Sequence, residues 1–145
     1  MNIAFFLVPK AEIICLSPEN SMRQALERME YHRYTAVPLV SGDGVYVGTI
    51  TEGDLLWKLK NTPGLDFENC HRVLLEDVPR RLNNQPVNIQ SNMESLISLA
   101  AAQNFVPVID DQNVFIGMIR RREIIEYCRE LMLKKTDAAA AGSGN

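Results

Sequence analysis

Hydrophobic and polar positions along this chain fall into two series that run in the same order. In the first, the short apolar stretch Ile13–Leu16 reads as a strand. Met22, Leu26 and Met29 then recur at helical intervals behind Ser21, which stands three residues before Gln24 in the spacing of a capping box. Two further apolar stretches, Thr35–Val40 and Val45–Ile50, flank Ser41-Gly42-Asp43-Gly44, a turn-forming run that predicts a hairpin. A helix is expected from Glu52 to Lys60. The second series repeats this order: a strand over Val87–Ile89, a helix capped by Asn92 with Met93, Leu96, Ile97 and Ala100 on its buried face, and a hairpin turning at Asp110-Asp111-Gln112-Asn113. A last helix runs from Arg121 to about Lys135. Pro107 follows Pro38 by 69 residues, and Gly117 follows Gly48 by the same interval.

Each unit is therefore strand, helix, strand, strand, helix. At roughly 50 residues with one sheet face to cover, such a unit is too small to be comfortable alone. Two copies with their sheets packed together and related by a pseudo-two-fold axis form one core, an α/β (α+β) fold of two βαββα repeats. The expected organisation is residues 1–62 as the first repeat with its N-terminal segment, 63–84 as a linker with one or two connecting helices, 85–135 as the second repeat, and 136–145 as a disordered tail. Pro63-Gly64 and Asp77-Val78-Pro79 punctuate the linker. Pro38 and Pro107 are expected on edge strands, where a missing N–H blocks further pairing.

Composition narrows the function. With 46% hydrophobic and 23% charged residues the chain can bury a core, and its formal net charge of −3 gives no field to hold a polyphosphate backbone. The longest apolar run, Ile3–Val8, is far short of the ~18–20 residues of a bilayer span and lacks the flanks of a secretion signal, so a cytoplasmic location is expected. Cys15, Cys70 and Cys128 are odd in number and widely spaced, which favours reduced thiols over disulfides or a zinc site. His32 and His71 are isolated, and neither a catalytic triad, a Walker loop nor a GxGxxG run is present. No cofactor and no enzymatic activity are expected.

The motifs Val37-Pro38-Leu39-Val40 with Gly48-Thr49-Ile50-Thr51-Glu52-Gly53-Asp54-Leu55-Leu56, and more loosely Val106-Pro107-Val108-Ile109 with Gly117-Met118-Ile119-Arg120-Arg121-Arg122-Glu123-Ile124-Ile125, resemble those of the cystathionine-β-synthase (CBS) domain. The likeness covers roughly Ile13 to Tyr127. It implies a regulatory pair that binds an adenosine-containing ligand between its repeats. By that resemblance Asp54 would hold ribose hydroxyls and Thr51 the phosphate or sugar. Tyr34, Thr35 and Ala36 with Ile14 and Cys15, and their counterparts Asn104, Phe105 and Val106 with Val87 and Asn88, would frame the base. The physics of the helix start agrees, because unpaired N–H groups and a positive dipole favour hydroxyls and anions there. The same residues also satisfy a simple capping box.

The second repeat departs from the motif: Arg120 stands in the Thr position and Glu123 in the Asp position. Arginines in a first helical turn oppose the dipole, so Arg120, Arg121 and Arg122 are read as phosphate ligands facing Asp54 across a shared cleft. Successive helical side chains diverge by about 100°, so at least one of them faces solvent. AMP, ADP and ATP fit this reading. Cyclic di-AMP fits as well, because Tyr34-Thr35-Ala36, Asp77-Val78-Pro79-Arg80 and Arg121-Arg122 look like small bacterial CBS-pair proteins that bind it. The cationic S-adenosylmethionine fits poorly beside arginines. Trp57, Leu55, Leu56 and Leu59 exceed one buried stripe and suggest a homodimer, and regulation of an unknown protein in trans is expected. The alternatives are a ligand-free structural or dimerisation module and, more remotely, a nucleic-acid binder using Arg80, Arg81 and the arginine run.

Overall fold

A computed structural model describes residues 2–143. In chain order its strands and helices are β1 (Val8–Pro9), α1 (Met22–His32), β2 (Ala36–Val40), β3 (Tyr46–Thr51), α2 (Glu52–Asn61), β4 (Val87–Asn88), α3 (Met93–Ala102), β5 (Phe105–Ile109), β6 (Phe115–Arg120) and α4 (Arg121–Ser143). Local chemistry sets most boundaries. Ser21 accepts from the Gln24 N–H while the Gln24 side chain accepts from the Ser21 N–H, closing the expected capping box, and Asn92 accepts from the Ser95 N–H at 2.8 Å. Both hairpins turn through a left-handed residue at equivalent positions, Gly44 at φ 85° and Asn113 at φ 63°. Both also carry the same register shift, between Leu39 and Val40 and between Val108 and Ile109.

Several expectations change. The stretch Ile13–Leu16 forms no strand; only Leu16 pairs, through its N–H to the Pro38 carbonyl at 3.0 Å and its carbonyl to the Val40 N–H at 2.8 Å, before Ser17-Pro18 ends the pairing. The connecting helices reduce to two short 3-10 turns, Cys70–Arg72 and Leu75–Asp77. Pro107 lies on an interior strand, since the larger sheet has the order β1-β6-β5-β4. It is tolerated because β4 pairs only with Val108 and Ile109, so no N–H is asked of the proline. The tail expected from residue 136 is instead helical through Ser143, an extension of α4, while Gly144 and Asn145 lie outside the described residues.

Two cores result, and they are interleaved. The first gathers Met22, Val37, Ile50 and Leu55 with Cys70, Leu75 and Val78 from the linker. The second gathers Val87, Leu96, Val106 and Ile119 with Ile3 from the N-terminal segment. Strand β1 pairs antiparallel with β6, so the N-terminal segment packs on the second repeat. Each repeat is thus completed by the segment that precedes the other. The division into 1–62, 63–84 and 85–135 describes sequence order and not packing. The repeats meet directly where Val45 bridges Val114, its equivalent 69 positions on, and where Tyr46 stacks on Phe115 at 6.1 Å.

Candidate functional site

The start of α2 is built by its sequence. Thr51 Oγ1 accepts from the Asp54 N–H at 3.1 Å, and Asp54 Oδ2 accepts from the Thr51 N–H at 3.0 Å, so the capping box is closed. The Glu52 N–H donates to the Thr35 carbonyl at 3.0 Å, and its equivalent Arg121 N–H donates to the Asn104 carbonyl at 3.1 Å. These paired bonds draw Thr35 and Asn104 beside the two helix starts. Between them lies a crevice of about 580 Å³. Thr35, Ala36, Thr51 and Glu52 form its wall from the first repeat, and Ala102, Gln103, Asn104 and Arg121 its wall from the second. A volume of this size suits a mononucleotide-sized ligand.

Arg121 is held for a purpose its sequence position does not reveal. Its Nε–H donates to the carbonyls of Ala100 and Gln103, at 3.0 and 2.8 Å, where α3 ends. The negative end of a helix dipole favours this cation. The two terminal amino groups have no hydrogen-bond partner among the described residues, leaving a pre-oriented fork suited to a phosphate or carboxylate.

The linker also enters the crevice. Asn83 Oδ1 accepts from the Thr49 N–H at 3.4 Å, and Asn84 Nδ2 donates to Asn104 Oδ1 and to the Phe105 carbonyl, each at 3.2 Å. Gln103 is buried and spans Gln85 in both directions. Tyr46 links the repeats, its hydroxyl donating to the Asn84 carbonyl at 2.7 Å and lying 2.7 Å from Thr49 Oγ1. Burial pushes the Tyr46 phenol up, against the opposing pull of the Thr49 hydrogen bond and of Arg80. None of Asn83, Asn84 or Gln103 was singled out by its sequence context. The motif Val8-Pro9-Lys10, repeated 70 residues on as Val78-Pro79-Arg80, is the feature that points to these segments.

The expected site residues therefore divide. Thr35, Ala36, Thr51, Asn104 and Arg121 line one crevice. Asp54 is not among the crevice walls: it is buried at 3% exposure, its Oδ1 accepting from the Arg81 N–H at 3.1 Å. Phe105 is buried in β5 and presents only its carbonyl. Tyr34 follows the left-handed Arg33 and stacks on His32 at 5.4 Å, lining a separate groove with Phe67. Ile14 and Cys15 are half-buried and outside the crevice walls, and burial raises the Cys15 thiol. Val87 and Asn88 face α3, with Asn88 donating to Asp111 at 3.1 Å. Arg120 ends β6 exposed, Arg122 is exposed on α4, and Glu123 faces Phe5 and Phe6 in another groove. Helical divergence separates the three arginines, leaving one in the crevice.

No group of three or more His, Cys, Asp or Glu among the described residues could hold a metal ion, and none of their helices is long and apolar enough to cross a membrane.

Comparison with known proteins gives four findings. The family model of the CBS domain matches residues 7–61 and 76–130. The crystal structure of CbpB in complex with c-di-AMP is 22% identical, with a TM-score of 0.81 over 95% of this chain and 91% of that one. That of CBSX2 in complex with AMP is 20% identical, with a TM-score of 0.71 over 90% and 98%. A curated homoserine O-acetyltransferase from Methanocorpusculum labreanum is 26% identical over 100 residues, and this chain spans 69% of its own length but 19% of that protein's.

Proposed function

The chain belongs to the CBS-domain family, as two repeats in tandem, and from that premise we propose that its inter-repeat crevice binds an adenine nucleotide and that a partner protein in trans reads the occupancy. The observation that carries this reading is the crevice that Thr35 and Thr51 of the first repeat line together with the tethered Arg121 of the second. In it Arg121 takes the phosphate, Thr51 the sugar or phosphate, and Ala36 leaves room for a flat purine. Asp54 serves the ribose, since a carboxylate accepts from both hydroxyls of a cis-diol. The structural relatives carry c-di-AMP or AMP, which supports an adenylyl ligand of one of these two kinds. The role is regulatory and not catalytic. Exposed apolar side chains on α2 and α4 support self-association and offer faces a partner can read.

Calorimetric titration of AMP, ADP, ATP and cyclic di-AMP tests the assignment. One of them binds, and Arg121→Ala weakens it by about tenfold or more, because a hydrogen bond to a charged group is worth ~1.5–3 kcal/mol. Unchanged affinity in both Arg121→Ala and Asp54→Ala removes these residues from the site. A second reading, a ligand-free scaffold, is favoured by Asp54, each of whose oxygens already accepts a backbone N–H without a ligand. Thermal unfolding separates the two: a ligand at 100 times its Kd stabilises by about 2.7 kcal/mol, and no stabilisation across the panel leaves the scaffold.

A further inference from the structure

We propose that residues 80–84 form a strap that closes Asp54 in the free protein, with Arg81 as its positioning residue, and that a ribonucleotide takes the place of the Arg81 N–H on Asp54. The proposal rests on the nucleotide reading above and deepens it.

The strap has no helix or strand to hold it. At one end the Arg81 N–H covers Asp54 Oδ1 from 27 residues away, and with 3% of Asp54 exposed no diol reaches that oxygen while Arg81 stays. The Arg81 guanidinium lies over the Trp57 ring at 5.2 Å. The Asn84 carbonyl takes a short bond from the Tyr46 hydroxyl at 2.7 Å and acts as the fixed end, while the fastenings between it and Arg81 are long: Arg80 to the Val47 carbonyl at 3.5 Å and the Thr49 N–H to Asn83 at 3.4 Å. Bonds at those distances are weak. At the other end Asn84 is tied to Asn104 and Phe105 of the second repeat. Between them Leu82 stands 68% exposed at the crevice wall, an apolar side chain that gains cover when a ligand enters.

The chemistry is an exchange. Asp54 gives up one N–H donor and receives two O–H donors from the free 2′,3′-diol of AMP, or the one 2′-O–H that the 3′,5′-linked cyclic di-AMP leaves free, so the ribose competes with the strap where a 2′-deoxy sugar does so less or not at all. The free protein must break the Arg81–Asp54 bond before it binds, and the measured affinity carries that cost. Because Trp57 is the only tryptophan, departure of Arg81 from its ring can be read directly.

The test titrates AMP and cyclic di-AMP, each beside its 2′-deoxy counterpart, into the wild type, Arg81→Pro and Arg80→Ala, by calorimetry and Trp57 emission. Arg81→Pro lacks the N–H donor; Arg80→Ala keeps the backbone and loosens the strap, and decides the matter alone should the proline variant not fold. The expected result is a change in Trp57 emission when the ribonucleotide binds the wild type. Affinity for that ribonucleotide rises about tenfold in Arg81→Pro, the worth of one hydrogen bond to a charged group, and by a smaller factor in Arg80→Ala. The gain for the deoxy counterpart is at most about threefold. If neither variant binds the ribonucleotide more tightly, or if ribo and deoxy ligands gain equally, the strap is overturned and the nucleotide site stands. If none of the proteins binds any of the four ligands, the nucleotide reading falls and takes the strap with it.

Discussion

The phenol of Tyr46 sits where β3, the linker and the second repeat converge, bonded to Thr49 and Asn84 and stacked on Phe115. Burial keeps it protonated to higher pH than in an unfolded chain. As pH rises through the ordinary phenol range near 10, the unfolded state loses its proton first and binds fewer protons than the folded state. Stability from this group is therefore fully present below that range and is lost above it. Thermal melts from pH 7 to 11 are expected to fall steeply at the alkaline end for the wild type. Tyr46→Phe is expected to start about 1 kcal/mol less stable at neutral pH and to show a shallower alkaline decline. At this scale the sequence was readable where the partner is near. Thr51 and Asp54 are three apart, and their mutual bonds follow from spacing alone. Arg121 has partners 18 and 21 residues away, and nothing local distinguishes it from Arg120 and Arg122. Tyr34 was legible as an aromatic but not as a neighbour of His32, because the left-handed turn at Arg33 redirects it.

Among the elements, the hairpins and capped helices were legible because their causes are local: turn residues, caps and apolar period. The strand pairing of β1 with β6 was not, since two residues carry no period and their partner lies more than a hundred positions away. The two equivalent glycines record what crosses each hairpin. A Cβ at Gly117 would collide with the Val8 carbonyl, which is backbone, whereas one at Gly48 would meet the Asn83 and Arg80 side chains at 2.7 and 2.8 Å. Side chains can swing aside; a paired strand cannot. Urea denaturation is expected to find Gly117→Ala destabilised by about 1–3 kcal/mol and Gly48→Ala by clearly less, although the two occupy the same place in the repeat. Equal losses would mean that the crossings are equally yielding.

For the whole molecule, the 69-residue repeat made the pseudo-symmetric pair readable, while the exchange of segments between repeats was hidden. The faint echo of Val8-Pro9-Lys10 in Val78-Pro79-Arg80 is its only trace in the sequence. The outer faces follow the same symmetry: Leu56 on α2 and Ile125 on α4, equivalent positions, are 55% and 57% exposed. Single exposed leucines are unremarkable, but a matched pair on both repeats, with Trp57 and Met132 also exposed on the same two helices, supports the proposed self-association. Sedimentation of the wild type is expected to give a dimer, and Leu56→Asp to shift it toward monomer by placing a charge in the buried contact. A monomeric wild type would remove the self-association reading.

The interleaving also dictates an order of events during synthesis. The first repeat emerges from the ribosome with its core open and closes only when Cys70, Leu75 and Val78 follow. Ile3 precedes β6 by more than a hundred residues and finds its place in the second core only once that strand has followed. A nascent chain halted after α2 therefore carries an unfinished first core and an unpaired β1 segment, and the two repeats mature together once β6 has emerged.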